Sequence, residues 1–445
     1  MSANEWMALW MIIILVGGVM VGWPVAWMMA GLGILMGALA FGPAISSYQA
    51  SLSIFGVMSG WELLAIPLFV FMGVVLEKAD IAGRLYLGLR LLFGPIRGGL
   101  LLATMGIAIL FAACTGIAGA SVIAIGLIAM PSMLKYGYDK RLISGAICAG
   151  GGLGVIIPPS IMLIVYGPVA GVAISSLFFA AMLPGVVMGL MYIAYMAIMC
   201  FIWPDKGPTI SREERSEYTW GQVGKILLVA GVPPMGLIGL VLGGIFLGFA
   251  APTEAAALGS LGAIIMTIGY RKFSFEMLKQ ACYSSLKIST FIMWLVLGAK
   301  LFMGTFNKLG GGAMIERWLF SIAGSDPVWM LILMLGIVFI LGMFMDWIGI
   351  LLVVVPIFVP IVAAMKWDPY WFAVMFCVTL QISYITPPFA YSIFYLKGIA
   401  PPEVSLYDIC VGCVPFILLQ ILALILIYFA PGLATWLPNL VMAGK

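Results

Sequence analysis

Apolar residues fall in blocks along nearly the whole chain. Blocks of about 17–25 positions are each long enough to cross a hydrocarbon core of roughly 30 Å as a single helix. Residues 227–249, 330–345 and 409–429 are examples of such runs. Taken together, the runs predict roughly 11–13 membrane-crossing helices with shorter pieces between them. The first basic residue is Lys78, and Arg84, Arg90 and Arg97 follow it closely. Basic loops stay on the cytoplasmic side, so the amino terminus is expected outside, with an odd number of crossings before Lys78. Residues 1–6 carry no basic stretch and the apolar run continues without a clear cleavage site, unlike a removed signal peptide.

The longest polar stretch, 204–225, holds Lys206, Arg212, Arg215 and Lys225 among interleaved acids and reads as a cytoplasmic linker. The next basic cluster is Arg271, Lys272, Lys279 and Lys287. With both on one side, 226–269 forms two crossings whose outer turn falls at Ala250-Ala251-Pro252-Thr253-Glu254. Glu254 then sits in the first turn of a helix, where an acid suits the helix dipole. Two amphipathic stretches, 84–93 and 273–287, read either as segments lying along the membrane surface or as ordinary helix ends.

The two halves resemble each other. A shift of 229 positions brings Pro131 onto Pro360, Asp139 onto Asp368 and Pro158-Pro159 onto Pro387-Pro388. Landmarks in register on similar hydropathy indicate an internal repeat. The turn at 135–141 carries Lys135, Lys140 and Arg141, whereas its counterpart at 364–370 carries only Lys366. That contrast places the two turns on opposite sides of the membrane and makes the repeat inverted.

Composition agrees with the pattern and narrows the chemistry. Hydrophobic residues make up 64% of the 445 residues and charged residues 9%, with mean hydropathy +1.20, where soluble domains carry about 25% charged residues. There is no histidine, which removes the commonest proton relay and metal ligand. Cys410 and Cys413 make a Cys-x-x-Cys pair, but no second ligand pair exists to complete a zinc site, so they read as small apolar residues on one helix face. The net charge of +4 is modest, no basic patch suggests a nucleic acid, and no Walker-type loop or nucleophile elbow is present. These residues imply no metal site and no cofactor.

The candidate chemistry lies where the apolar runs break. Gly150-Gly151-Gly152-Leu153-Gly154-Val155-Ile156-Ile157-Pro158-Pro159-Ser160 places four glycines and two prolines inside apolar sequence. A helix must break there, and broken backbone at membrane depth survives only in protein or beside a wet cavity. The alternative is a glycine-rich packing face followed by a proline kink. Gln381-Ile382-Ser383-Tyr384-Ile385-Thr386-Pro387-Pro388 occupies the equivalent place in the second half, and paired breaks point to a transporter site. Upstream of each stands another interruption, Thr115-Gly116-Ile117-Ala118-Gly119-Ala120-Ser121 and Phe344-Met345-Asp346-Trp347-Ile348-Gly349. Asp346 is the notable member, because a carboxylate deep in a bilayer usually faces a cavity or an ion. Its alternative is a helix end near the interface. The sequence assigns no role to Glu62 or Lys300.

These motifs, together with Gly137-Tyr138-Asp139-Lys140 and Pro252-Thr253-Glu254-Ala255-Ala256, resemble the large membrane subunit of the TRAP transporters, the tripartite ATP-independent periplasmic carriers. The resemblance runs over essentially the whole chain. It implies an all-α polytopic membrane protein of inverted repeats, each with a re-entrant helical hairpin, working as an elevator-type transporter. It also implies sodium as the coupling ion, a small membrane (Q-type) subunit, a periplasmic substrate-binding protein that delivers an organic acid, and an inner-membrane location in a bacterial or archaeal cell.

Carried over residue by residue, the resemblance assigns the ion to Thr115, Gly116, Gly119, Gly152, Gly154, Pro158, Asp346, Gly349, Gln381, Thr386 and Pro387. It assigns the substrate to Ser121, Pro159, Ser160, Ser383 and Pro388. The family has a serine-rich segment where this chain reads Thr115 to Ser121 with fewer hydroxyls, which leaves backbone carbonyls as the ligands of the first ion.

The expected organisation is scaffold helices and a surface arm at 1–97, a first transport repeat at 98–203 with its hairpin near 144–168, and the linker at 204–225. Second-half scaffold and arm helices follow at 226–325, then a second repeat at 326–445 with its hairpin near 372–397. The expected function is sodium-coupled uptake of a carboxylate, not an enzymatic reaction. The rival within the same class is a self-sufficient sodium/anion symporter. A membrane enzyme or redox subunit needs relays and ligands that the scattered acids and absent histidine do not supply. A passive scaffold has no use for broken helices at matched depths.

Overall fold

The computed structural model describes residues 2–116, 118–210, 219–324 and 326–443, with the side chains of 112–115 and 442–443 outside the description. Ile117 and the linker residues Arg212 and Arg215 therefore lie outside the described residues. In the first half the helices are α1 (Ala3–Met20), α2 (Val25–Phe41), α3 (Pro43–Met58), α4 (Ala65–Lys78) and α5 (Ile81–Phe93). They continue with α6 (Gly99–Thr115), α7 (Ala118–Lys135), α8 (Lys140–Gly152), α9 (Ile161–Ala170) and α10 (Ile174–Ile202). The second half opens with α11 (Trp220–Phe246), α12 (Pro252–Gly269), α13 (Phe275–Lys308), α14 (Gly311–Ala323) and α15 (Pro327–Gly342). It closes with α16 (Trp347–Ala364), α17 (Pro369–Tyr384), α18 (Tyr391–Ile399), α19 (Leu406–Phe429) and α20 (Gly432–Ala443). Among the described residues there is no strand, as a chain that must satisfy its backbone without water requires.

Eight of these helices are long and apolar enough to cross a bilayer, or nine if α3 and the segment Trp61–Lys78, bent by 51°, count as one span. The number is below the expected 11–13. The same apolar sequence is cut by turns and breaks into pieces such as the 10-residue α9 and 16-residue α15, each shorter than a full crossing. Large apolar side chains such as Leu39, Phe201, Leu240 and Phe429 face outward, as a lipid-facing surface allows.

Polar residues sit where helix ends need them. Asp139 accepts from the N–H groups of Arg141 and Leu142, and its repeat mate Asp368 accepts from those of Tyr370 and Trp371. The shared aspartate is thus the cap of each hairpin's first helix. The preceding turn is also the same in both halves. Gly137 N–H donates to Leu134 O and Tyr138 N–H to Met133 O, while Lys366 N–H donates to Ala363 O and Trp367 N–H to Val362 O. Gly137 and Lys366 both have positive φ, 75° and 55°. Glu254 takes its expected place: its carboxylate accepts from Ala251 N–H and closes the start of α12.

The repeats are inverted, and α19 measures it. Near its start, Asp408 pairs with Arg141 at 3.3 Å and Lys140 donates to Glu403 O at 2.8 Å, so α8 begins at that end. Near its other end, Ile427 O accepts from the Trp371 indole at 3.0 Å, so α17 begins there. With 1.5 Å of rise per residue, these two ends of α19 lie about 28 Å apart. The return helices are exchanged between the halves: α9 packs on α16, and α18 packs on α7.

The remaining helices form a frame around this unit. The 34-residue α13 crosses α2 so closely that a Cβ on Gly298 would meet Ala26 O at 2.5 Å. Small residues are what let two backbones approach in this way. The stretch 273–287 is largely the beginning of α13, favouring the helix-end reading, whereas 84–93 belongs to the separate helix α5, which packs on α6 and α11. Lys272 pairs with Asp80 at 3.8 Å and Lys78 donates to Gln280 at 3.4 Å, so two of the basic clusters share one face.

Candidate functional site

The hairpins α8–α9 and α17–α18 enter from opposite ends and meet. Gly152 closes α8, and a Cβ added there would lie 3.3 Å from Nε2 of Gln381. Both positions are the thirteenth residue of their helix, and the shift of 229 relates them. Both amide atoms of the fully buried Gln381 lack a hydrogen-bond partner. An unsatisfied buried amide costs roughly 1–3 kcal/mol, so in a native protein it asks for a partner such as an ion or a bound molecule.

Each hairpin tip faces a helix break. Between α6 and α7, Gly116 has φ 62°, and a Cβ on it would meet Pro159 O at 2.9 Å and Ile161 N at 3.1 Å. Only glycine permits both that conformation and that approach. Gly119 lies against the ring of Tyr395 from the second hairpin's return helix. Thr115 ends α6, and its side chain lies outside the description; Ser121 is fully buried on α7. At the first tip, Gly154 occupies a buried turn at Leu153–Val155, the Pro158–Pro159 bond is cis, and both prolines are buried. Ser160 Oγ donates to Val155 O at 2.5 Å.

The second break, between α15 and α16, is capped by Asp346, whose Oδ2 accepts weakly from Ile348 N–H at 3.4 Å. Tyr384, Tyr391 and Tyr395 of the second hairpin stand within electrostatic range of this carboxylate. The rings of Phe344 and Phe389 sit 5.9 Å apart across the same gap. At this tip the Pro387–Pro388 bond is also cis, but both prolines are exposed, so the second tip is the open one. Thr386 Oγ1 donates to Ile382 O at 2.7 Å and Ser383 Oγ to Leu380 O at 2.6 Å.

The expected residues do not all converge. Gly116, Pro159 and Ser160 form one tip contact, Gly152 and Gln381 a second, and Asp346 with the 384–391 segment a third. Gly349 instead turns to the frame, with Val25 3.2 Å from its prospective Cβ. Ser383 presses on Gly342 at the end of α15. The hydroxyl protons of Ser160, Ser383 and Thr386 are each committed to a backbone carbonyl, and what remains on each oxygen is lone pairs, which suit a cation. Among the described residues no group of three or more His, Cys, Asp or Glu could hold a metal ion.

Two cavities flank the unit. One, of about 450 Å³, lies between the second break, the second tip and the frame; Asp346, Phe344, Phe389 and Tyr391 meet Trp27 and Trp294 there. The other, of about 490 Å³, lies between α9, α16 and the frame and brings Glu62 and Lys300 to one wall. Trp27 and Trp294 were not singled out by the sequence, because a tryptophan in an apolar run reads first as a lipid-interface anchor.

An all-helical, multi-pass membrane protein whose inverted hairpins meet at broken helices has the architecture of a secondary transporter. Comparison with known proteins agrees. Residues 9–433 match the family described as the tripartite ATP-independent periplasmic transporter, DctM component. The chain belongs to that family and is a large permease subunit of a TRAP transport system, not an enzyme, in the bacterial inner membrane. It is 31% identical over 460 residues to the C4-dicarboxylate TRAP transporter large permease protein DctM of Vibrio cholerae, covering 97% of this chain and 98% of that one. It is 28% identical over 421 residues to the 2,3-diketo-L-gulonate large permease YiaN of Escherichia coli, covering 94% and 96%. It is 30% identical over 384 residues to the ectoine/5-hydroxyectoine large permease UehC of Ruegeria pomeroyi, covering 85% and 86%. The solved YdaH transporter of Alcanivorax borkumensis has the same fold, with TM-score 0.65 at 13% identity over 97% of this chain and 100% of that one.

Proposed function

We propose that this subunit couples inward sodium movement to uptake of an organic acid, which a periplasmic binding protein delivers and a small membrane subunit helps to brace. The reading rests above all on the contact between Gly152 and Gln381, where two opposed hairpins meet around a buried amide with no partner. Sodium takes oxygen ligands from the backbone at Gly116, Gly152 and Gly154 and from Gln381, Thr386 and Asp346. Ser160, whose proton points to the Val155 carbonyl, serves the ion side through its lone pairs.

The substrate carboxylate lies at the amino terminus of a half-helix, where backbone N–H groups and the helix dipole favour an anion. Ion binding comes first, because the ion ties tip to break and offsets the charge of Asp346. The hairpin unit then moves against the frame in an elevator-type step, carrying both across.

Uptake by proteoliposomes holding the full chain, its membrane partner and its binding protein tests this. A sodium gradient is expected to drive accumulation, and Asp346→Ala to remove the sodium dependence. Uptake that is equally fast without sodium, or an Asp346→Ala protein with unchanged sodium dependence, rejects the coupling. Uptake without any binding protein favours the self-sufficient symporter instead.

A further inference from the structure

The cavity beside Asp346 carries a negative charge that no neighbour answers. Among the described residues lining it, Asp346 is the sole charged one, and no lysine or arginine is present. The carboxylate accepts one long hydrogen bond, from Ile348 N–H at 3.4 Å. A carboxylate facing an apolar wall at membrane depth keeps its charge only beside water or a cation.

Aromatic rings make up much of the rest of the wall. Trp27 and Trp294 lie with centroids 4.7 Å apart on the frame side. Phe344 and Phe389 lie 5.9 Å apart across the break and the tip, and Tyr391 joins them. Ring faces carry partial negative charge and attract a cation that holds its water loosely. A small hard ion gains less from them, because it takes oxygen ligands. The space, about 450 Å³, is also far more than a bare ion fills, and it lies within the ~300–1,000 Å³ of small-molecule sites.

We infer that this cavity binds a bulky organic cation of the quaternary ammonium class, with its charge against Asp346 and its alkyl groups against the rings of Trp27, Trp294, Phe344 and Phe389. The binding site stands apart from the sodium-coupling reading; its effect on transport rests on that reading. With the organic cation in place, sodium loses Asp346 as a ligand. The cavity also spans the hairpin unit and the frame, so its occupant touches both and arrests the movement of one against the other. The cation is a blocker, not the cargo.

Equilibrium binding of radiolabelled tetraethylammonium to the full chain, in nanodiscs free of choline lipids and in sodium-free buffer, tests it. Saturable binding is expected. Unlabelled choline is expected to displace the label about 10-fold better than dimethylbutanol, its uncharged carbon isostere. Asp346→Asn, which keeps the shape and removes the charge, is expected to weaken binding by about 10-fold or more. Phe389→Leu, at a half-exposed position, keeps apolar bulk without the ring and is expected to weaken it about 5-fold. Absence of saturable binding, equal displacement by the alcohol, or unchanged binding in either variant overturns the inference. Added sodium separates the two readings. Tetraethylammonium that is lost in Asp346→Asn yet not displaced by sodium leaves the organic-cation site standing and removes the coupling ion from Asp346. Sodium-driven uptake that Asp346→Ala abolishes, in a protein that binds no tetraethylammonium, does the reverse.

Discussion

Gly152 and Gln381 occupy equivalent positions in the two halves and touch each other, with 3.3 Å between Nε2 of Gln381 and the place a Gly152 Cβ would take. Equivalent positions in contact lie on the axis that relates the repeats, and such an axis has space for one side chain. The pair is asymmetric for that reason: one half supplies an amide and the other supplies room. Gly152→Ala is therefore expected to displace Gln381 and slow uptake, while Gln381→Ala in the same chain relieves the crowding. A double-mutant cycle on thermal stability measures this, with coupling of about 1 kcal/mol expected. Additive effects of the two substitutions contradict the contact.

The unpartnered amide of Gln381 predicts opposite effects on stability and on transport. Gln381→Leu removes a buried polar group of about 1–3 kcal/mol unsatisfied cost and fills similar volume. The ligand-free protein is expected to melt no lower than the parent, and uptake is expected to fall at least 10-fold. A marked loss of stability would show that the amide has a structural partner.

Lys366 adopts φ 55° in an exposed turn whose counterpart in the first half is Gly137. A left-handed conformation costs an L-residue about 1–2 kcal/mol, partly offset by the greater freedom glycine loses on folding. Lys366→Gly is expected to stabilise the protein by about 0.5–1 kcal/mol with uptake unchanged. Thermal melting in detergent, compared with the uptake rate, checks both parts.

Helices α8 and α19 touch through backbone. A Cβ on Gly412 would collide with Arg141 O, and one on Gly145 with Gly412 O. Gly412→Ala is expected to push the first hairpin away from its neighbour and destabilise by about 1–3 kcal/mol, the usual range for overpacking. Gly239→Ala on α11, with open space around it, is the control and is expected to lose no stability. Equal melting temperatures for the two variants would refute the close approach.

Much of the fold was legible in the sequence. The apolar blocks marked the chain as membrane-spanning because a bilayer admits few polar side chains. Asp139 and Asp368, Pro131 and Pro360, and the two Pro-Pro pairs exposed the repeat because each half needs the same cap, the same turn and the same break. The excess of basic residues at 135–141 over 364–370 indicated inversion. Crossing counts were less legible, since hydropathy is blind to whether an apolar run passes through or turns back.

Sequence by itself determined the environment, the repeat and the places where helices must stop, because those follow from solvent, backbone sterics and local hydrogen bonding. Only the tertiary structure decided what meets at those stops. Nothing in the chain order tells that Gly152 lies on Gln381, that Gly349 and Ser383 turn aside, or that Trp27 and Trp294 wall the cavity beside Asp346. Those contacts join residues up to hundreds of positions apart, and the mutual packing of the inverted hairpins and the frame sets them.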